Sequence, residues 1–192
     1  MKNIFFILST PRCRSTWFSN LFTYKDSFCY NEELRYMTKW SDFENRIQSR
    51  PEKNIGFSDP ELLHYIKKLY KLYPNAKYVL LERDRAEAEL SLHKISGINL
   101  NLIEIKFNKW YKNIDYFKKK IKKHYSIHWN EMDDFNNINS VWKYVMSEDM
   151  DKQRWELLTA MKVSVTDGNK PFPIKEKSLA PYFNLNKLNN IK

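Results

Sequence analysis

Glycine is scarce in this chain: three residues, Gly56, Gly97 and Gly168, among 192. None stands between Thr10 and Thr16, the polar knot that interrupts the apolar N-terminal stretch, so the wrap of a G-x-x-x-x-G-K-[ST] loop around a β-phosphate is excluded there. Cysteine and histidine are as rare. Cys13 and Cys29 are too few for a disulfide framework or a metal cluster, and the four histidines are scattered without ligand spacing, so no metal is expected and a reducing compartment fits best. Long apolar runs are missing too. The run after Lys2 is too short for a secretory h-region, and nowhere are there about 18 consecutive apolar residues; the expectation is a soluble, cytoplasmic protein with no membrane span.

What the chain does have is core material and positive charge. Hydrophobic residues make up 42% and aromatics 16%, enough for one sizeable domain. Lys and Arg number 33 against 23 acidic residues, a formal charge of +10, which favours an anionic partner: a nucleotide, an acidic glycan, nucleic acid or a membrane surface. Charge does not choose among them.

The stretch from Asn3 to Phe22 reads as a strand, a tight loop and a helix. Ile4 to Leu8 has the composition of a doubly buried strand, and Trp17, Phe18, Leu21 and Phe22 fall on one side of a helix. A loop leading from a buried strand into a helix gathers backbone N–H groups at one point, where anions are favoured. Arg12 and Arg14 add guanidinium charge, and Ser15 and Thr16 add hydroxyl donors. The competing reading is an ordinary turn in which a serine caps the helix and the arginines face solvent.

Farther along, Asn54–Ser58 and Tyr78–Leu81 read as strands. A helix is expected from Pro60 to Tyr73, capped by Asp59, and another after the capping box Asp84-Arg85-Ala86-Glu87. Phe28–Tyr36 reads as a short apolar piece before a charged turn, and 40–52 as a surface segment or small lid. Leu100–Tyr125 carries the longest helical pattern, with a lysine-rich outer face. A fourth strand is expected over Tyr125–Trp129, then two short helices with Val141, Trp142, Val145 and Met146, and Trp155, Leu158 and Met161, as their apolar faces. This rhythm predicts one α/β domain over 1–192, a central parallel sheet flanked by helices, with an irregular tail over 165–192. The loops after Leu8, Ser58 and Leu81 should face one crevice, making Arg12 and Arg83 neighbours.

Pro11-Arg12-Cys13-Arg14-Ser15-Thr16-Trp17 resembles the 5′-phosphosulfate loop of sulfotransferases that use 3′-phosphoadenosine-5′-phosphosulfate (PAPS), written P-[KR]-S-G-[ST]-T-W. Pro11, Arg12, Ser15, Thr16 and Trp17 match; Cys13 and Arg14 replace the usual Ser and Gly. Arg83 and Ser91, eight residues apart behind a predicted strand, resemble the family's 3′-phosphate segment, with Arg85 where proline is usual. The resemblance implies transfer of a sulfuryl group from PAPS to a hydroxyl or amine of a small-molecule or glycan acceptor, with the 3′,5′-bisphosphate PAP as product and no metal. It implies nucleotide binding by Arg12, Cys13, Arg14, Ser15, Thr16, Trp17, Arg83 and Ser91, with Arg12 on the bridging oxygen.

Many members take their base from a G-E-P-like turn after the first helix. Asn31-Glu32-Glu33-Leu34 occupies that place, so Glu32 is the implied general base and Glu33 the reserve if the turn is displaced by one. The closing R-K-G segment of the cytosolic type has no match; Lys170, Lys175 or Lys177 would have to substitute. Two alternatives stay open. A basic module could hold nucleic acid or acidic glycan without catalysis, though nucleic acid is not the expected partner; a divergent nucleotide kinase is opposed by the missing glycines and loop lysine.

Overall fold

The computed structural model of the chain describes residues 2–160; Met161, Lys170, Lys175, Lys177 and the expected irregular tail lie outside the described residues. Five strands, β1 (Asn3–Ser9), β2 (Ser27–Asn31), β3 (Asn54–Ser58), β4 (Lys77–Glu82) and β5 (Tyr125–His128), form one parallel sheet in the order β2-β3-β1-β4-β5. Central β1 has helices over both of its faces. Alternation along the strand sends Phe5 and Ile7 to one face and Phe6 and Leu8 to the other, and all four are fully buried. Helix α1 (Ser15–Leu21) covers the Phe5 face. Helices α2 (Ser41–Ser49), α3 (Ile66–Leu72), α4 (Arg85–Ser96) and α5 (Leu100–Lys120) cover the Phe6 face, while α6 (Phe135–Met146) and α7 (Lys152–Ala160) return to the first. No helix among the described residues is long and apolar enough to cross a membrane.

That division creates the crevice. The chain leaves β1 for a helix on one face and leaves its neighbour β4 for a helix on the other, so the loops diverge between their carboxyl ends, the place where ligands of such sheets collect. Gly56 keeps the sheet tight beside it. It is the register partner of Phe5, and a Cβ on Gly56 would overlap the Phe5 ring.

Four details differ from the sequence reading. Ser27–Asn31 is an edge strand rather than part of an apolar piece, held by contacts from afar: Tyr30 stacks on Phe57 at 5.1 Å, and the Arg50 guanidinium lies 3.7 Å from the Phe28 ring centroid. The segment after Pro60 begins as a 3₁₀ turn, Pro60–Tyr65, before α3. The indole N–H of Trp110 donates to the Pro60 carbonyl at 3.2 Å, taking an acceptor that a continuous α-helix would use. Within 40–52, α2 buries Phe43 and Ile47 in the core instead of lying on the surface. Helix α5 stops at Lys120, where Ile121 turns inward, 1% exposed, and three terminal lysines face the negative end of the helix dipole.

Candidate functional site

The loop after β1 closes without glycine. Arg12 (φ 73°) and Arg14 (φ 60°) both take the left-handed conformation, the element from which concave arrays of backbone N–H groups are built. Arg14 therefore adopts the backbone that the resemblance assigns to glycine. Its side chain is held from a distance: Nη1 pairs with Asp133 Oδ1 at 2.6 Å, and the guanidinium lies 4.3 Å from the Trp129 ring centroid. Helix α1 spans seven residues, so its dipole is short and the arginines supply most of the positive potential.

Arg83 begins the loop after β4 and reaches back across the crevice. Its Nη1 donates to the Arg12 carbonyl at 3.0 Å, its Nε lies 3.4 Å from Glu87 Oε2, and its guanidinium lies 4.1 Å from the same Trp129 centroid. Arg12 Nε donates to Ser91 Oγ at 3.3 Å, on a helix started by the Asp84 cap. The two segments named from sequence thus meet through direct hydrogen bonds. Tyr111 of α5 donates to the Arg83 carbonyl at 2.9 Å and fixes that loop from the far side.

The other loop residues take supporting places. Cys13 is fully buried; its Sγ lies 3.2 Å from Thr10 Oγ1, and burial pushes its thiol up to about 11, against the pull of Thr10, Arg83 and Arg12. It is a packed thiol. Trp17, 6% exposed, packs edge-on against Phe18 beneath the loop. Ser15 is buried, and its carbonyl accepts the Ser58 hydroxyl at 2.9 Å; the Thr16 carbonyl accepts from Ser19 and Asn20.

Acids gather at the β2 and β3 end of the same sheet edge. Glu32, itself left-handed at φ 51°, forms an ion pair with Arg35, and its N–H donates to the Ser58 carbonyl at 2.8 Å. Glu33 pairs with Arg46 at 2.6 Å; burial raises its carboxyl while Arg46 opposes the rise. Asp59 is buried, accepts the N–H groups of Glu61 and Leu34 at 2.9 and 3.1 Å, and is pushed by burial up to about 6. From sequence Asp59 reads only as a cap, Tyr111 only as part of a helix face and Trp129 only as the end of a strand, and Glu61 and Asp133 carry no role. Asp59-Pro60 at the end of a buried strand was the available signal for the first; Trp129 and Asp133 gave none, since they meet Arg14 only through the fold.

No family model matches the chain, and no curated protein sequence does. A solved structure does: mouse sulfotransferase SULT7A1 complexed with PAP aligns over 89% of this chain and 70% of its own, with TM-score 0.56 and 12% identity. The chain has a sulfotransferase-like fold, a single α/β domain around a five-stranded parallel sheet.

Proposed function

We propose that the protein is a sulfotransferase that takes a sulfuryl group from PAPS and passes it to a hydroxyl or amine of a small-molecule or glycan acceptor. The observation that carries this reading is the pair of hydrogen bonds that joins Arg83 to the Arg12 carbonyl and the Arg12 guanidinium to Ser91, so that two arginines and a hydroxyl from the segments after β1 and β4 converge beside a left-handed loop. The donor set suits a nucleotide with phosphate at both 5′ and 3′ positions. Guanidinium groups bind such oxygens in two-pronged fashion.

In the reading, Ser15, Thr16 and the backbone of Cys13 and Arg14 hold the 5′-phosphate, with Arg14 adding charge. Arg12 stabilises the negative charge that grows on the bridging oxygen as the bond to sulfur breaks. Arg83 and Ser91 hold the 3′-phosphate, and Trp17 and the Cys13 side chain support the loop from below. The acceptor lies toward the acid-lined end of the sheet, where a carboxylate takes its proton; the resemblance alone points to Glu32 or Glu33 for that task. PAPS supplies an activated sulfur; the chain supplies position and charge.

Isothermal titration with PAP and with adenosine 5′-phosphate tests the reading. The expected result is a clear preference for PAP at physiological salt, lost with Arg12→Ala or Arg83→Ala. A wild-type chain that ignores PAP while binding heparin or oligonucleotides would point to the basic binding module instead.

A further inference from the structure

One buried acid has no task in the account above. Glu61 lies in the 3₁₀ turn after β3, 5% exposed, and neither of its carboxyl oxygens has a hydrogen-bond partner among the described residues. An ionised carboxylate left this way is strongly disfavoured, so such a group is retained either protonated or for a visiting donor. The other acids of the cluster are engaged: Glu32 with Arg35, Glu33 with Arg46, and Asp59 with two backbone N–H groups. Protonating an arginine-paired carboxylate sacrifices the pair, which makes Glu32 and Glu33 poor proton acceptors.

Location favours Glu61 as well. Ser58, at the carboxyl end of β3, donates to the Ser15 carbonyl at 2.9 Å, which ties this strand end to the first turn of α1 behind the arginine loop. Glu61 follows three residues later. The groups facing it are Asp59, His64 and Tyr65 from its own segment and Lys106 and Lys109 from α5, while Glu33 and Arg35 act on Asp59 from the turn after β2. His64 Nε2 is 3.6 Å from Glu61 Oε2, too far for a good hydrogen bond, and burial holds its pKa down to about 4, so it remains neutral. Trp110 stacks on the His64 ring at 5.4 Å and bonds the Pro60 carbonyl, closing the far side.

We infer that Glu61 accepts the proton of the attacking hydroxyl or amine, with Asp59 as the positioning residue that fixes its turn. The inference rests on the sulfuryl-transfer reading. In the step, the acceptor's O–H or N–H bond breaks and its electron pair forms the bond to sulfur. The bond from sulfur to the 5′-phosphate oxygen breaks, with its pair left on the oxygen beside Arg12, and the proton passes to a Glu61 oxygen and later to solvent. Burial and the neighbouring Asp59 push the Glu61 carboxyl up to about 8, which makes the deprotonated form an eager base near neutral pH.

The test uses the full chain, titrated with PAP, and follows release of PAP from PAPS with water and with phenol as acceptors from about pH 5 to pH 9. Glu61→Gln is expected to bind PAP within about twofold of wild type, to lose about 10²-fold or more in turnover, and to lose the acid limb of the pH profile. Glu61→Asp, which keeps a carboxyl, should regain part of the rate with a displaced limb; it also decides the matter if the Gln variant does not fold. A wild-type rate and profile in either variant overturns the inference, as does loss of the limb in Glu32→Gln or Glu33→Gln instead. A wild type that binds PAP but turns over no faster than the uncatalysed reaction also overturns it and leaves the nucleotide site standing. A wild type that does not bind PAP overturns the sulfotransferase reading itself.

Discussion

Arg14 offers a perturbation whose two components can be separated. It holds φ 60° and ψ 24°, and a side chain in that region costs about 1–2 kcal/mol relative to a right-handed residue. Truncation to Ala keeps this cost and removes two contacts. The ion pair to Asp133, a residue 72% exposed, contributes about 0.2–1 kcal/mol, and the contact with the Trp129 ring about 0.5–1 kcal/mol. Arg14→Ala should therefore lose about 1–2 kcal/mol. Arg14→Gly loses the same contacts but regains the left-handed cost, less about 0.4–1 kcal/mol for glycine's greater freedom when unfolded. The Gly variant should be the more stable by about 1 kcal/mol, roughly 2–4 °C in Tm for a chain of this size. Thermal and urea unfolding of the two variants measure the difference directly, since they differ only by the Cβ methyl and both lack the guanidinium contacts. An Ala variant as stable as the Gly variant would refute the assignment of strain to this position.

Arg83→Ala should lower affinity for PAP more than for adenosine 5′-phosphate, by about 1.5–3 kcal/mol of charge-assisted bonding, in parallel titrations. Equal losses would move Arg83 away from the 3′-phosphate. Glu61→Gln should be more stable than wild type at pH 8, by on the order of 2 kcal/mol, because an acid raised from 4.5 to about 8 loses stability as pH climbs through that window. The gap should close toward pH 4.5, and a gap independent of pH between these values would contradict the burial argument. His64, held down from 6.5 to about 4, works in the opposite sense: stability it allows above pH 6.5 should drain away as pH falls to 4, and His64→Gln should flatten that slope in urea titrations. Gly56→Ala should destabilise by about 1–3 kcal/mol or more through collision with Phe5, read by thermal unfolding; a neutral result would mean that the paired strands give way easily.

Much of the site was legible because its donors follow strands. Arg12 and Arg83 each come directly after a buried apolar run, and parallel strands bring such positions to one edge whatever sequence lies between. The remainder was hidden where physics acts through space. Nothing near Trp129 in the sequence says that two guanidinium groups will share its ring, since one arrives from the β1 loop and the other from the β4 loop. Glu61 looks like any acid in a first turn until its burial is known. The left-handed Arg14 was hidden for a different reason: local propensity argues for glycine there, and Asp133 and Trp129 override it from afar. Edge strand β2 lacked a buried run altogether; Tyr30 and Phe28, neighbours on one face, are stapled by Phe57 and Arg50.

Ser58 sets the width of the working space. Its hydroxyl holds the Ser15 carbonyl, its own carbonyl receives the Glu32 N–H, and its side chain is fully buried. The arginine loop springs from β1, the Glu32 turn from β2, and β3 lies hydrogen-bonded between them. Neighbouring strands sit about 4.8 Å apart, so the span between the two ends is two such steps, about 10 Å. The sheet acts as a ruler with one graduation per strand, and loop sequence can vary around it without changing the reach.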